Sequence, residues 1–339
     1  AVMLAWSLTR TNTPFRGFFE QVLWLKIFLP ALPMLVSWLL LLGGSGSIIN
    51  KFLMDTFHLS KAPLDLQSYW GVVFLTFVGM GAYLYMYMAP AFRNMDASME
   101  ESSRVSGASN LTTLFRITVP VLMPAILGVS LLSLLFALGS YETELFLLSG
   151  KGVYVFTTWI WSRAAQFPPD YPGAMAMSTV FLVFVAVIIF AQAKVLGGRQ
   201  FTTVTGRGFG VRVLDLGKWK WVTFGFLVFD FVIALVFPLT VLVLGTVTRA
   251  YGVLSSGWTL EHWRFALGEA AVIKSITNTL LLGVMAATLG AVLHGIMSYV
   301  AVRTRLKGRR LVDMISWVPR AAPPVVLGLG MVRAVLGGI

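Results

Sequence analysis

The sequence predicts an all-α, polytopic membrane helical bundle with about seven full transmembrane helices and one partial one. Three observations carry that prediction. Seven stretches reach the length of about 20 largely apolar residues that a bilayer crossing needs. Only 12% of the 339 residues are charged, against about 25% in soluble domains, and mean hydropathy is +0.82. The basic residues behind a net charge of +12 fall in short loops, all on one side if every stretch crosses once.

Residues 1–8 read as the tail of a helix, because Ala1 stands inside an apolar run; the natural chain is expected to begin upstream. The first full candidate, 19–43, contains Pro30 and Pro33, and proline breaks helices. Residues 48–57 have the pattern of an amphipathic interfacial helix. Candidates 70–92 and 120–148 follow, with a polar island between them. Trp159 and Trp161 suit the headgroup layer. Pro168, Pro169 and Pro172 mark a turn into 173–196. The remaining candidates are 221–247, 276–302 and 311–336, the last with Pro319, Pro323 and Pro324. Arg10 and Arg16, then Arg93, Arg104 and Arg116, then Lys194 to Lys220, then Arg303 to Arg310 mark the cytoplasmic loops.

Composition excludes several classes. There are no cysteines, so disulfides and thiolate metal sites are absent. The three histidines, His58, His262 and His294, are not at ligand spacing, and no metal site is predicted. No nucleic-acid-binding motif occurs, so no nucleic acid partner is expected. No phosphate-binding Walker sequence occurs, so neither catalysis nor a directly bound cofactor is expected of this chain.

The polar island runs from Asn94 to Pro124 and reads as two short helices around a glycine. Ser98 followed by Glu101 has the form of a capping box that starts the first. Gly107 can adopt the left-handed conformation that ends it, and Ser109 can cap the second. This order resembles the EAA motif of bacterial ABC-importer permeases. That pattern is Glu-Ala-Ala, three residues, Gly, nine residues, Ile, one residue, Leu-Pro; it falls on Glu101-Ser102-Ser103, Gly107, Ile117 and Val119-Pro120 with every spacing kept. The departures are serine for both alanines and valine for leucine.

The resemblance implies a MetI-like permease fold in the inner membrane. It implies a coupling loop, 94–120, in which Glu100, Glu101, Ser102, Ser103, Arg104, Gly107, Ala108, Ser109, Ile117, Val119 and Pro120 serve a cytoplasmic dimer of separate ABC ATPase subunits. ATP would be used by that partner. A periplasmic solute-binding protein is the other implied partner, and the lipid bilayer surrounds the helices.

Leu4–Gly44 can be laid on Ser298–Gly338 without gaps, which puts Arg16 on Arg310, Lys26 on Arg320 and Pro30 on Pro324. Both copies run in the same sense, as two fused permease modules would. The expected organisation is a first module over 1–198 lacking its N-terminal helices, a cytoplasmic basic linker over 199–220, and the N-terminal part of a second module over 221–339, ending before its own coupling loop. The linker, with Thr205-Gly206-Arg207-Gly208 and Asp215, resembles the inter-module segment of ferric-iron-type double permeases. Tyr141-Glu142-Thr143-Glu144 and residues 153–171 resemble the same group. Ferric iron is therefore the leading expected solute; thiamine, polyamines, phosphonates and sulfate stay open.

Ionisable groups at membrane depth are costly and mark function or pairing. Glu142 and Glu144, near the outer end of their helix, could meet an incoming cation, since ferric iron prefers hard oxygen ligands. They could equally be interfacial carboxylates facing outside water. With Tyr141 and Asn278 they form the candidate translocation path. Asp230, deep in its helix, either pairs with another helix, the favoured reading, or lines the path; His294 and Lys26 are similar cases. These carboxylates also keep open a secondary transporter driven by ion gradients, which would have no ATPase partner and usually an inverted repeat.

Overall fold

The structure is a computed structural model that describes residues 1–197, 213–250, 253–309, 311–312 and 324–336. Residues 199–212 of the expected linker, and Pro319, Arg320 and Pro323, lie outside the described residues. Among the described residues, five helices are long and apolar enough to cross a membrane, or six if one bent helix pair is counted as a single span. The chain divides into two compact units, residues 1–154 with 187–242, and residues 155–186 with 243–339.

In the first unit, α1 (Val2–Thr9) is apolar all round and is buried rather than amphipathic. It packs on α5 (Tyr69–Arg93), whose buried positions Ala82, Tyr85, Met88, Ala89 and Phe92 recur at helical spacing and form one stripe. The small residues in that stripe let the two backbones approach closely. Ser68 starts α5 by accepting a hydrogen bond from the Gly71 N–H at 3.1 Å. Phe19 and Leu23 of α2 (Arg16–Phe28) complete this core.

The predicted single span 19–43 is two helices. α2 ends at Phe28, α3 (Ala31–Leu42) begins after Pro30, and the two are bent by 102°. Pro30 has no N–H to donate and holds Leu29 in the extended region, so the helix cannot continue through them. Pro33 sits within the first turn of α3, where a missing N–H costs nothing. The predicted amphipathic helix is present as α4 (Ile48–Phe57). Its buried Asn50 pins the following loop, donating to the Leu64 carbonyl at 2.7 Å and accepting the Leu64 N–H at 3.0 Å.

The predicted span 120–148 is also broken. α8 (Val119–Gly139) stops at Ser140, which is extended, and α9 (Glu142–Leu148) is separate. Leu147 and Leu148 of α9 join Leu35, Trp38 and Leu41 of α3 and Val241 in a second core, where Trp38 meets Phe74 edge-on at 5.1 Å. α12 (Lys220–Phe231) lies against α2. The Phe19 ring meets Phe224 and Phe231 edge-on at 5.9 and 6.2 Å, and the Thr13 and Thr223 hydroxyls are 2.7 Å apart. A π-helical turn, Val232–Val236, carries α12 into α13 (Phe237–Val247), so the predicted 221–247 stretch is one continuous helical element.

In the second unit, α10 (Phe156–Ala165) precedes α11 (Tyr171–Gly197). Phe156 stacks on Phe181 with centroids 5.4 Å apart. Asp170 starts α11 by accepting the Gly173 N–H at 2.9 Å, and it faces Arg163 at 3.6 Å. β1 (Thr248–Ala250) and β2 (Val253–Trp258) form a small antiparallel ribbon that the all-α expectation did not contain. An irregular register and Gly257 at φ +90° mark it as a bulged turn. α14 (Glu261–Gly268) leads to α15 (Ala270–Arg303), a rod of about 50 Å at 1.5 Å per residue. Asn278 does not open this helix. Glu269 precedes its first residue, and Asn278 lies exposed two turns in. α16 (Pro324–Leu336) starts on proline, which suits a first helical position.

The α2–α12 contact predicts a contrast between two phenylalanines. Phe19→Ala should cost on the order of 2–4 kcal/mol, because the buried ring leaves a cavity, whereas Phe229→Ala, at a position 63% exposed, should cost little. Thermal unfolding of both variants in one detergent checks the difference.

Candidate functional site

The polar island folds as α6 (Ala97–Val105), the short α7 (Asn110–Thr113) and a π-helical turn, Leu114–Thr118. Its start differs from the predicted capping box. The Asp96 carboxylate accepts the Ser98 N–H at 2.9 Å, so Asp96 is the cap and Ser98 lies inside the helix. A short acidic side chain reaches the N–H two residues on more readily than the serine that follows it. That hydrogen bond holds the Asp96 carboxyl below its ordinary pKa.

The end is as the sequence predicts. Gly107 has φ +83°, and the Ala108 N–H reaches back to the Ser103 carbonyl at 3.1 Å, closing a Schellman motif. Ser109 Oγ then accepts the Thr112 N–H at 3.2 Å and caps α7. α7 does not stop, however. Thr113, Thr118 and Val119 are all helical, and the Val119 N–H bonds the Leu114 carbonyl five residues back. The second half of the island is therefore continuous with α8.

One buried carboxylate fixes the island to the bundle. Glu100 is 1% exposed, accepting Arg10 Nη2 on Oε2 at 2.7 Å and the Thr118 hydroxyl on Oε1 at 2.7 Å. Arg10 also donates to the Met95 carbonyl at 3.3 Å, and its buried Nε has no partner. Arg10 was predicted to be a cytoplasmic loop charge; the structure buries it because Glu100 compensates it. The Ser103 and Thr113 hydroxyls, 3.0 Å apart, tie α6 to α7. Ile117, Val119 and Pro120 were expected among the functional positions of the loop. Leu114 and Thr118 are the buried residues there; Ile117 and Val119 are half-buried and Pro120 is exposed. Glu101 is half-buried, Ser102 is exposed, and the side chain of Arg104 lies outside those described. Met99 and Val105 are exposed on the outward face of α6, at 47% and 89%.

A segment distant in sequence borders this site. Leu214 donates its N–H to the Arg10 carbonyl at 2.7 Å and accepts the Asn12 N–H at 3.0 Å, a parallel bridge. Asn12 Nδ2 donates to Asp215 at 2.6 Å, and Asn110 Nδ2 reaches the Asp215 carbonyl at 3.4 Å. A cavity of about 740 Å³ opens beside Gly107, Ala108 and Ser109, walled by Trp6, Leu216 and Trp219.

The candidate path residues fall in both compact units. Tyr141 and Glu142 are half-buried; Glu144 is buried and accepts the Ser140 hydroxyl at 2.8 Å. Asn278 belongs to the other compact unit. Asp230 pairs with Lys26, whose Nζ lies 3.3 and 3.5 Å from its two oxygens. Thr143, which the sequence did not single out, lines a cavity with Lys26; neither Glu142 nor Glu144 does.

Two predictions follow from the island. Glu100→Ala leaves Arg10 buried and uncompensated, which should destabilise by about 3–5 kcal/mol, while the double change Arg10→Met, Glu100→Leu should restore most of it. Denaturation midpoints of the three proteins test this. The depressed Asp96 pKa means its cap stabilises α6 above the ordinary carboxylate range and is lost as pH falls through the folded value. Proteolysis at the island should therefore rise in acid, and Asp96→Asn should flatten that dependence.

Residues 1–202 match the family described as the binding-protein-dependent transport system inner membrane component. The ferric transport system permease protein FbpB of Actinobacillus pleuropneumoniae is 25% identical over 308 residues, covering 87% of this chain and 43% of that protein. The molybdenum transport system permease protein ModB of Escherichia coli is 28% identical over 149 residues, covering 44% of this chain and 62% of that one. The chain thus spans less than half the length of the ferric relative. No solved structure matches it. Because the matched residues make up more than half of the chain and end beyond the island and its buried clamp, the protein belongs to the family of binding-protein-dependent inner-membrane transport components.

Proposed function

We propose that the chain is the permease subunit of an ATP-driven, binding-protein-dependent importer, and that residues 94–120 are where a separate ATPase subunit docks. The observation that carries this reading is the two-faced form of α6. Glu100 holds its inner face to Arg10 and Thr118, while Met99, Ser102 and Val105 are exposed on the other. Apolar side chains exposed on an otherwise polar helix suit a partner's groove. Movement of that partner would pass from α6 across the Gly107 turn and the Ser103–Thr113 contact to α7, which runs through the π turn into α8.

Ferric iron is the solute we favour, on the similarity to ferric transport permeases over most of this chain. A periplasmic binding protein would deliver it. Asp230, on which a gradient-driven carrier would rely, is engaged by Lys26, which supports the ATP-driven reading.

The test is binding-protein-stimulated ATP hydrolysis and solute uptake by the whole transporter in proteoliposomes. Val105→Glu should place a charge in the docking face and lower both activities by about tenfold or more, the effect of losing roughly 1.4 kcal/mol of coupling. Gly107→Pro should remove uptake in a protein that still inserts, since it cannot adopt a positive φ. Unchanged uptake in both variants would refute the assignment.

A further inference from the structure

We propose that the first unit holds an anion-binding station on the solute path, built around Lys26 at the break between α2 and α3. This rests on the permease reading above and narrows its solute class.

The site is a cavity of about 180 Å³ lined by Lys26, Tyr83, Thr143, Trp38 and the first turns of α3. That is room for a tetrahedral oxyanion or a few waters. Lys26 carries the one formal charge among the described lining residues. Its side chain is 6% exposed, so its field is poorly screened. Asp230, its partner, does not line the cavity, so a bound solute meets the ammonium and not the carboxylate. Nor does the ion pair saturate Lys26. Its contacts of 3.3 and 3.5 Å are longer than the roughly 2.7–2.9 Å of a tight charge-assisted bond. An ammonium has three N–H groups, and one carboxylate at such distances leaves donor capacity for a further acceptor.

The surrounding groups favour the same sign of charge. α3 begins at the cavity with no side-chain cap; Pro30 and Pro33 have no N–H, so the free N–H groups of Ala31 and Leu32 and the positive end of the helix dipole are what α3 adds to Lys26. The Thr143 hydroxyl can donate as well. No carboxylate is among the described lining residues. The Lys26–Asp230 pair is neutral as a whole, so the contacts within the cavity set the preference, and its described lining offers a bare metal cation no carboxylate. The station takes an oxyanion or a carboxylate, either as the solute itself or as the ligand shell of a metal. In the ferric reading, iron would pass this point as an anionic complex.

Equilibrium dialysis of the complete transporter in nanodiscs tests this, with radiolabelled phosphate, molybdate, citrate and ferric citrate as probes. We expect saturable binding of at least one. A preference for ferric citrate over free citrate would identify the ligand shell of a metal; equal or better binding of a free anion would identify the anion itself. Lys26→Met should weaken binding by about tenfold or more, as loss of a hydrogen bond from a charged donor does, and Lys26→Arg should retain it. Because Lys26→Met strands Asp230, the double change Lys26→Met, Asp230→Leu is the control. A purely structural pair would regain full binding in that protein, which would overturn the proposal; an anion station stays lost although the fold recovers. Absence of saturable binding by all four probes would also overturn it. Stimulated ATP hydrolysis, measured on the same samples, separates the two readings. A transporter that hydrolyses ATP but binds no anion rejects the station alone, and one that binds anions without stimulating an ATPase rejects the docking assignment alone.

Discussion

The Glu100 carboxylate is where three separate pieces of chain meet: the end of α1 through Arg10, the polar island through α6, and the root of α8 through Thr118. In a low-dielectric interior such a cluster adds little net stability, because desolvation of both charges offsets most of their attraction. Its value is positional. Any shift of α6 by an ångström would leave a buried guanidinium or carboxylate without its partner, and that is costly. The polar island is thus held in one place by this charge cluster together with the packing of Met95, Leu114 and Leu122 in the first core.

A second set of fasteners lies along α2 and α12. At one end the 213–217 segment pairs with Arg10 and Asn12 and touches Asn110. Farther along, the Thr13–Thr223 hydroxyls, the phenylalanine ring contacts and the Lys26–Asp230 pair follow in order. Lipid tails are as apolar as leucine, so helix association depends on close packing and polar pairs of this kind. The segment after residue 212 therefore joins the polar island rather than passing it by.

Much of this was legible in the sequence, where local chemistry alone decides the outcome. Gly107 and Ser109 act as their types and spacing require, and Pro30 stands at the break between α2 and α3. The readings that changed depend on partners far away in sequence. Arg10 looks like any loop arginine until Glu100, ninety residues later, is placed beside it. Ser98 and Asp96 are both good caps, and only geometry chooses between them. Glu142 and Glu144 drew attention as charges, yet it is the uncharged Thr143 between them that lines a cavity. One stretch of sequence cannot say which side of a seven-residue helix faces inward. The Asp230 pairing was anticipated in kind but not in partner.

The π-helical turn at Leu114–Thr118 has a geometric consequence. A π turn holds one residue more than the α-helical turn it replaces, and an α-helix advances about 100° per residue. The single extra residue thus sets the azimuth of α7, and with it α6, around the axis of α8. It also sets which stripe of α8 meets the core and which meets lipid. Length variation at this one position would turn the exposed face of α6 about the helix axis like the hand of a clock, and Glu100 would lose Arg10 and Thr118 in the same step.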